Sequence, residues 1–88
     1  MSEDRPVQHF PDTYSIKAVG ADADNFAEFA ADVVRRIVDD ASTVSYRTRP
    51  SRKGSYLAVT ISFVAVDQQQ LDTVFEQMSA QDRVVWVL

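Results

Sequence analysis

Cysteine is absent from this 88-residue chain, so neither a disulfide framework nor a thiolate metal site can be built from it. Histidine occurs once, at His9 in the polar N-terminal stretch. A Ser-His-Asp relay would need that stretch to fold back over the domain, and nothing in its pattern suggests it. Glycine occurs only at Gly20 and Gly54, too few for a loop of backbone amides around a phosphate. No apolar run approaches the roughly 18 residues that cross a bilayer, and the opening MSEDRPVQHF lacks the apolar segment of a secretory leader. A cytoplasmic protein without a membrane span is the expectation. Neighbouring acids occur at Asp39 and Asp40, but such pairs at a helix end are ordinarily solvated, and oxygen ligands at metal-loop spacing are missing. The composition therefore predicts no catalytic residues, no metal and no cofactor.

What remains is a chain sized for one domain and one core. Hydrophobic residues make up 45% of it. With no covalent crosslink, packing alone must supply a stability of roughly 5–10 kcal/mol, unless a partner extends the core. The net charge is −4, which weighs against nucleic acid as a partner, because neutralising phosphates dominates such affinities. The charge is unevenly placed. Ala41 to Val66 holds Arg47, Arg49, Arg52 and Lys53 and no acid, a window of +4 that leaves −8 for the rest of the chain.

Residues 1–12, with Pro6 and Pro11, read as a mobile lead-in whose end, Phe10-Pro11, docks onto a single domain over 13–88. Tyr14 to Val19 alternates apolar and polar and predicts a strand with Tyr14, Ile16 and Ala18 inward. Gly20 follows where a turn is expected. Phe26, Phe29, Ala30, Val33, Val34 and Ile37 form one helical stripe. Asp22 or Asp24 is expected to cap its start, and the helix is expected to end near Asp39 and Asp40. Val44 to Pro50 predicts a second strand with Val44, Tyr46 and Thr48 on one face and Ser45, Arg47 and Arg49 on the other. A turn at Ser51-Arg52-Lys53 leads into a third strand, Ser55 to Ala65, with Leu57, Val59, Ile61 and Phe63 inward. Asp67 with Gln70 has the spacing of a capping pair, followed by the stripe Leu71, Val74, Phe75 and Met78. Val84 to Leu88 predicts a last strand.

The order βαββαβ, with one apolar stripe on each helix, predicts an α+β ferredoxin-like sandwich: a four-stranded antiparallel sheet of order 4-1-3-2 with both helices on one face. The other face is then open. It is expected to show Ser15, Lys17, Arg47, Arg49, Tyr56, Ala58, Thr60 and Ser62, with Trp86 and Leu88 added or not according to the register of the last strand. The acids Asp32, Asp72 and Glu76 lie on the helices, so the two layers carry opposite charge.

Phe10-Pro11, Tyr14 with Lys17 and Gly20, Pro50-Ser51 with Lys53-Gly54 and Tyr56, and the ending Val87-Leu88 stand in an order and spacing that resembles the YbeD family of small bacterial proteins of unknown function. The resemblance covers nearly all of the chain after the lead-in. It implies a ferredoxin-like fold close to the ACT-type regulatory domains of amino-acid biosynthetic enzymes, and a link to lipoate metabolism. It supplies no catalytic residues. The Asp-rich first helix and Trp86 depart from the family pattern.

Three features are then candidates for function. Gly20 resembles the position where ACT-type domains contact an amino-acid ligand through backbone; the plain alternative is a glycine with positive φ at a strand exit. Lys53-Gly54 fits the start of the basic-Gly-aromatic signature of RNA-recognition domains, but Ser55 and Leu57 stand where aromatics are needed, so a tight hairpin with solvated cations competes with nucleic-acid binding. Trp86 either fills the core or lies on the open face. The sequence thus predicts a regulatory or adaptor protein that meets a protein partner, or a second copy of itself, through Lys17, Arg47, Arg49, Lys53, Tyr56 and Trp86. The alternative is a small-molecule sensor with its ligand at Gly20.

Overall fold

The computed structural model describes residues 10–88. Residues 1–9 of the expected lead-in 1–12, His9 among them, lie outside the described residues. Strand β1 (Asp12–Ala21) is followed by helix α1 (Phe26–Arg35), a 3-10 turn (Ala41–Thr43), β2 (Ser45–Pro50), β3 (Tyr56–Ala65), α2 (Gln68–Ser79) and β4 (Val84–Val87). The sheet is antiparallel with order β2-β3-β1-β4, the order the sequence predicts read from the other edge. Phe10 stacks on Tyr14 with 5.4 Å between ring centroids and packs against the core.

One cluster fills the space between the layers. Ile16 and Ala18 of β1 and Val59, Ile61, Phe63 and Ala65 of β3 meet Phe26, Ala30, Val33 and Val34 of α1 and Leu71, Val74 and Met78 of α2. Since both helices join the same cluster, both cover the same face of the sheet. Strand β2 is exposed along its whole length, so the helices barely reach it.

The helix starts differ in chemistry. Asp67 caps α2: its Oδ1 accepts from the Gln70 N–H at 2.8 Å, while the Gln70 side-chain oxygen accepts from the Val66 N–H at 3.0 Å. The Gln70 amide also donates to Ile37 O and to Asp39 Oδ1, which ties the start of α2 to the end of α1. For α1, neither Asp22 nor Asp24 is the cap. Asn25 occupies that position in the left-handed region, φ 58°, without a side-chain cap bond, and Asp24 is left-handed as well, φ 51°. The loop is held instead by Arg83, whose Nη2 donates to Ala23 O at 2.6 Å and Asp24 O at 3.1 Å. Its guanidinium lies over the Phe29 and Phe26 rings at 4.6 and 5.6 Å. Helix α1 stops at Arg35, short of the expected Asp39-Asp40 end. Asp40 caps the 3-10 turn, accepting from the Ser42 N–H and hydroxyl, and these bonds hold its carboxyl below the usual range.

Gly20 is not at a turn. β1 runs through it to Ala21, and among the described glycines only Gly54 has a positive φ, 75°. A Cβ on Gly20 would lie 2.5 Å from the Arg83 carbonyl oxygen and 2.6 Å from the Phe26 ring. The residue is glycine because two neighbours occupy the space a side chain would need.

Candidate functional site

The face of the sheet away from the helices is built by strand alternation. On β3 the core takes Val59, Ile61 and Phe63, so Tyr56, Ala58, Thr60 and Ser62 turn outward. Pairing carries the pattern sideways. Ser62 faces Ser15 on one side and Ser45 on the other; Thr60 faces Lys17 and Arg47; Ala58 faces Val19 and Arg49.

On β4 the pairing is interrupted. Val19 faces Trp86, yet Gly20 faces Val84, so Val85 is an extra residue bulged out of the ladder. In an unbroken strand Val84, Trp86 and Leu88 would share a face. The bulge separates them: Val84 and Val87 pack against the core, while Trp86 joins Val19 on the open face. Leu88 exchanges two backbone hydrogen bonds with Lys17, at 3.0 and 2.8 Å, and so lies on the open face too. Trp86 is 63% exposed, Val85 64%, Leu88 65% and Tyr56 47%. The core-or-surface alternative for Trp86 resolves to the surface.

The face is graded from edge to edge. Trp86 and Leu88 form the β4 side, with Val19 beside them and Tyr56 at the hairpin end. Small residues, Ser15, Ala58, Thr60 and Ser62, run down the middle. Arg47 and Arg49 form the β2 side, and Lys17 stands between. No aspartate or glutamate lies at an outward position of the four strands. Lys53 is exposed in the β2–β3 turn, where Gly54 N–H donates to Ser51 O.

The acids near this face are held on the other layer. Tyr46, paired with Ile61 and so on the helix side of β2, donates its hydroxyl to Glu28 Oε2 at 2.7 Å. Arg35 Nη1 donates to Glu28 Oε1 at 3.0 Å and Asp32 Oδ1 at 2.7 Å. The Tyr46 bond first, then Arg35, lowers the Glu28 carboxyl below its ordinary value. A lowered carboxylate stabilises the fold above the ordinary carboxylate pKa, and this contribution is lost as the pH falls through the lowered one. Tyr46→Phe is expected to return Glu28 toward its ordinary titration, read from its carboxyl carbon by NMR; an unchanged midpoint would mean that Arg35 alone sets it.

Of the residues singled out in the sequence, Lys17, Arg47, Arg49, Tyr56 and Trp86 are brought onto this one face and Lys53 to its border. Gly20 is buried on the opposite side beneath Phe26. Val19 and Val85 were not visible as surface residues, because a valine in a strand reads as core. No group of three metal-ligating side chains occurs among the described residues, and no helix among them is long and apolar enough to cross a membrane.

Comparison with known proteins places residues 5–88 in register with the family model described as a protein of unknown function, DUF493. A UPF0250 protein of Neisseria meningitidis serogroup A is 33% identical over 79 residues, covering 90% of this chain and 87% of that one. A UPF0250 protein of Azotobacter vinelandii is 32% identical over 84 residues, covering 94% and 91%. The solution structure of the H. pylori protein HP0495 superposes with a TM-score of 0.72 at 12% identity, covering 98% of this chain and 90% of that one. The sheet order and the two helices are thus shared at the level of fold.

Proposed function

This chain belongs to the DUF493 family of proteins of unknown function, and from that premise we propose that it is a non-catalytic regulatory or adaptor protein that docks another protein on the open face of its sheet. The observation that carries this reading is the exposure of Trp86, Val85 and Leu88 beside Val19 and Tyr56, on a face that also holds Lys17, Arg47 and Arg49 and no acid. Large apolar side chains grouped at the surface of a small domain mark contact sites, and tryptophan, tyrosine and arginine are the residues that carry most binding energy when covered. The outward residues of this face include serines and a threonine but no histidine or carboxylate to serve them as a base.

Photo-crosslinking in the native cell tests the reading. A photoreactive residue at Thr60, in the middle of the face, is expected to trap a defined protein. The same residue at Glu76 on α2 is not. Trp86→Ser should reduce the yield at Thr60 about tenfold or more. Equal trapping from both positions, or none from Thr60, would remove the open face as the working surface.

A further inference from the structure

Resting on the docking reading, we propose that the occupant of the open face is an acidic amphipathic helix of the partner protein. It lies along β1 and β3, with its apolar stripe against Trp86, Val19 and Leu88 and its carboxylates against Arg47 and Arg49.

The face is shaped for this. Three adjoining depressions of about 370, 400 and 410 Å3 run across it. The first is lined by Lys17, Arg47, Arg49, Ala58 and Thr60. The second shares Arg49 and Ala58 with it and adds Val19 and Tyr56. The third shares Val19 and Tyr56 and ends on Val85 and Trp86. The floor is made of small side chains, and the walls are a cationic edge and an apolar edge. Trp86 on β4 and Arg49 on β2 are three strand spacings apart, about 14 Å. That admits a helix of about 10–12 Å diameter touching both walls, whereas a single extended strand, about 5 Å wide, would leave one wall uncovered. From Ser15 to Ala21 the floor runs about 20 Å, the length of roughly 13 helical residues.

Charge selects the occupant. A second copy of this chain meeting the face with its own would add Lys17, Arg47 and Arg49 and no carboxylate to pair with either set of cations, which disfavours association. Nucleic acid would find cations, but the aromatic side chains of this face lie at its margins, Tyr56 by the hairpin and Trp86 on the edge strand, and the middle of the central strands offers only Ala58, Thr60, Ser62, Ser15, Lys17 and Val19, with no ring to stack on.

The test uses synthetic helical peptides of about 18 residues with the wild-type protein and an Arg47→Glu/Arg49→Glu variant. One peptide carries a leucine stripe flanked by glutamates, a second the same stripe flanked by lysines, and a third glutamates with alanine in place of leucine. Trp86 is the only tryptophan in the chain, so its emission reports occupancy when the peptides contain none. The leucine–glutamate peptide is expected to saturate and shift the emission, with the other two at least about tenfold weaker. The charge-reversed variant should prefer the lysine-flanked peptide. Equal binding of the two leucine peptides, or binding of neither, overturns the proposal. So does tighter binding of single-stranded RNA, or a Trp86 emission that changes with protein concentration alone together with a dimer in sedimentation. If the peptides fail while crosslinking from Thr60 still traps a partner, the docking reading stands and the helical occupant falls.

Discussion

Truncating Phe26 to alanine is expected to cost about 3–5 kcal/mol, about a third or more of the roughly 5–10 kcal/mol available to a domain of this size. Phe26 is 1% exposed and is among the largest fully buried side chains. It opens α1, covers Gly20, stacks with Phe29 at 6.3 Å between centroids and lies beneath the Arg83 guanidinium. Removing its ring therefore leaves a cavity over the sheet and also takes one aromatic surface from the arginine that holds the Ala23–Asp24 loop. The melting midpoint, followed by circular dichroism, should fall by roughly 12–40 °C. A fall of only a few degrees would show that the surrounding side chains collapse into the space.

The second large effect is expected at Gly20. In Gly20→Val the new branches must occupy a position where even a Cβ is 2.5 Å from the Arg83 carbonyl and 2.6 Å from Phe26. The ring can tilt, but the carbonyl moves only if β4 moves. Overpacking typically costs about 1–3 kcal/mol and sometimes more. Here the strand pairing should suffer as well, and faster amide exchange at Lys17 and Leu88, which bond to each other across β1 and β4, would report it. The two positions are in contact and so should not be additive. Gly20→Ala combined with Phe26→Leu is expected to cost less than the two separate changes together. A Gly20→Val protein with wild-type melting and exchange would contradict the packing account.

These two residues also show where sequence reading succeeds and where it stops. The apolar stripe beginning at Phe26 and the alternation of Val59, Ile61 and Phe63 were legible, because burial of one face imposes a period on the side chains. The Asp67–Gln70 cap was legible because its chemistry is local. The start of α1 was not: no side chain caps it, and the loop before it is held by Arg83, far along the chain, donating to the Ala23 and Asp24 carbonyls. Gly20 suggested a turn because a glycine's local meaning is conformational freedom, whereas its reason here is tertiary. The cationic side of the open face followed from Arg47 and Arg49 alternating with Tyr46 and Thr48. The apolar side did not, because the face Trp86 takes depends on the Val85 bulge, and a bulge alters the alternation without leaving a mark in a run of five apolar residues.

Gly20 and the bulge have a joint consequence for the opposite face. A short regular strand can slide along its neighbour by two residues and keep every side chain on its proper side. β4 is denied that freedom. Its entry passes so close to β1 that the Arg83 carbonyl fits only over a residue without a side chain, and a shift by two would set it over Ala18 or Asp22. Gly20 is the notch, and the Arg83 carbonyl at the entry of β4 is the tooth that fits it. The tryptophan therefore stands across from Val19 and nowhere else. A glycine buried beneath the helices, which no partner on the open face can touch, determines which side chains that partner meets.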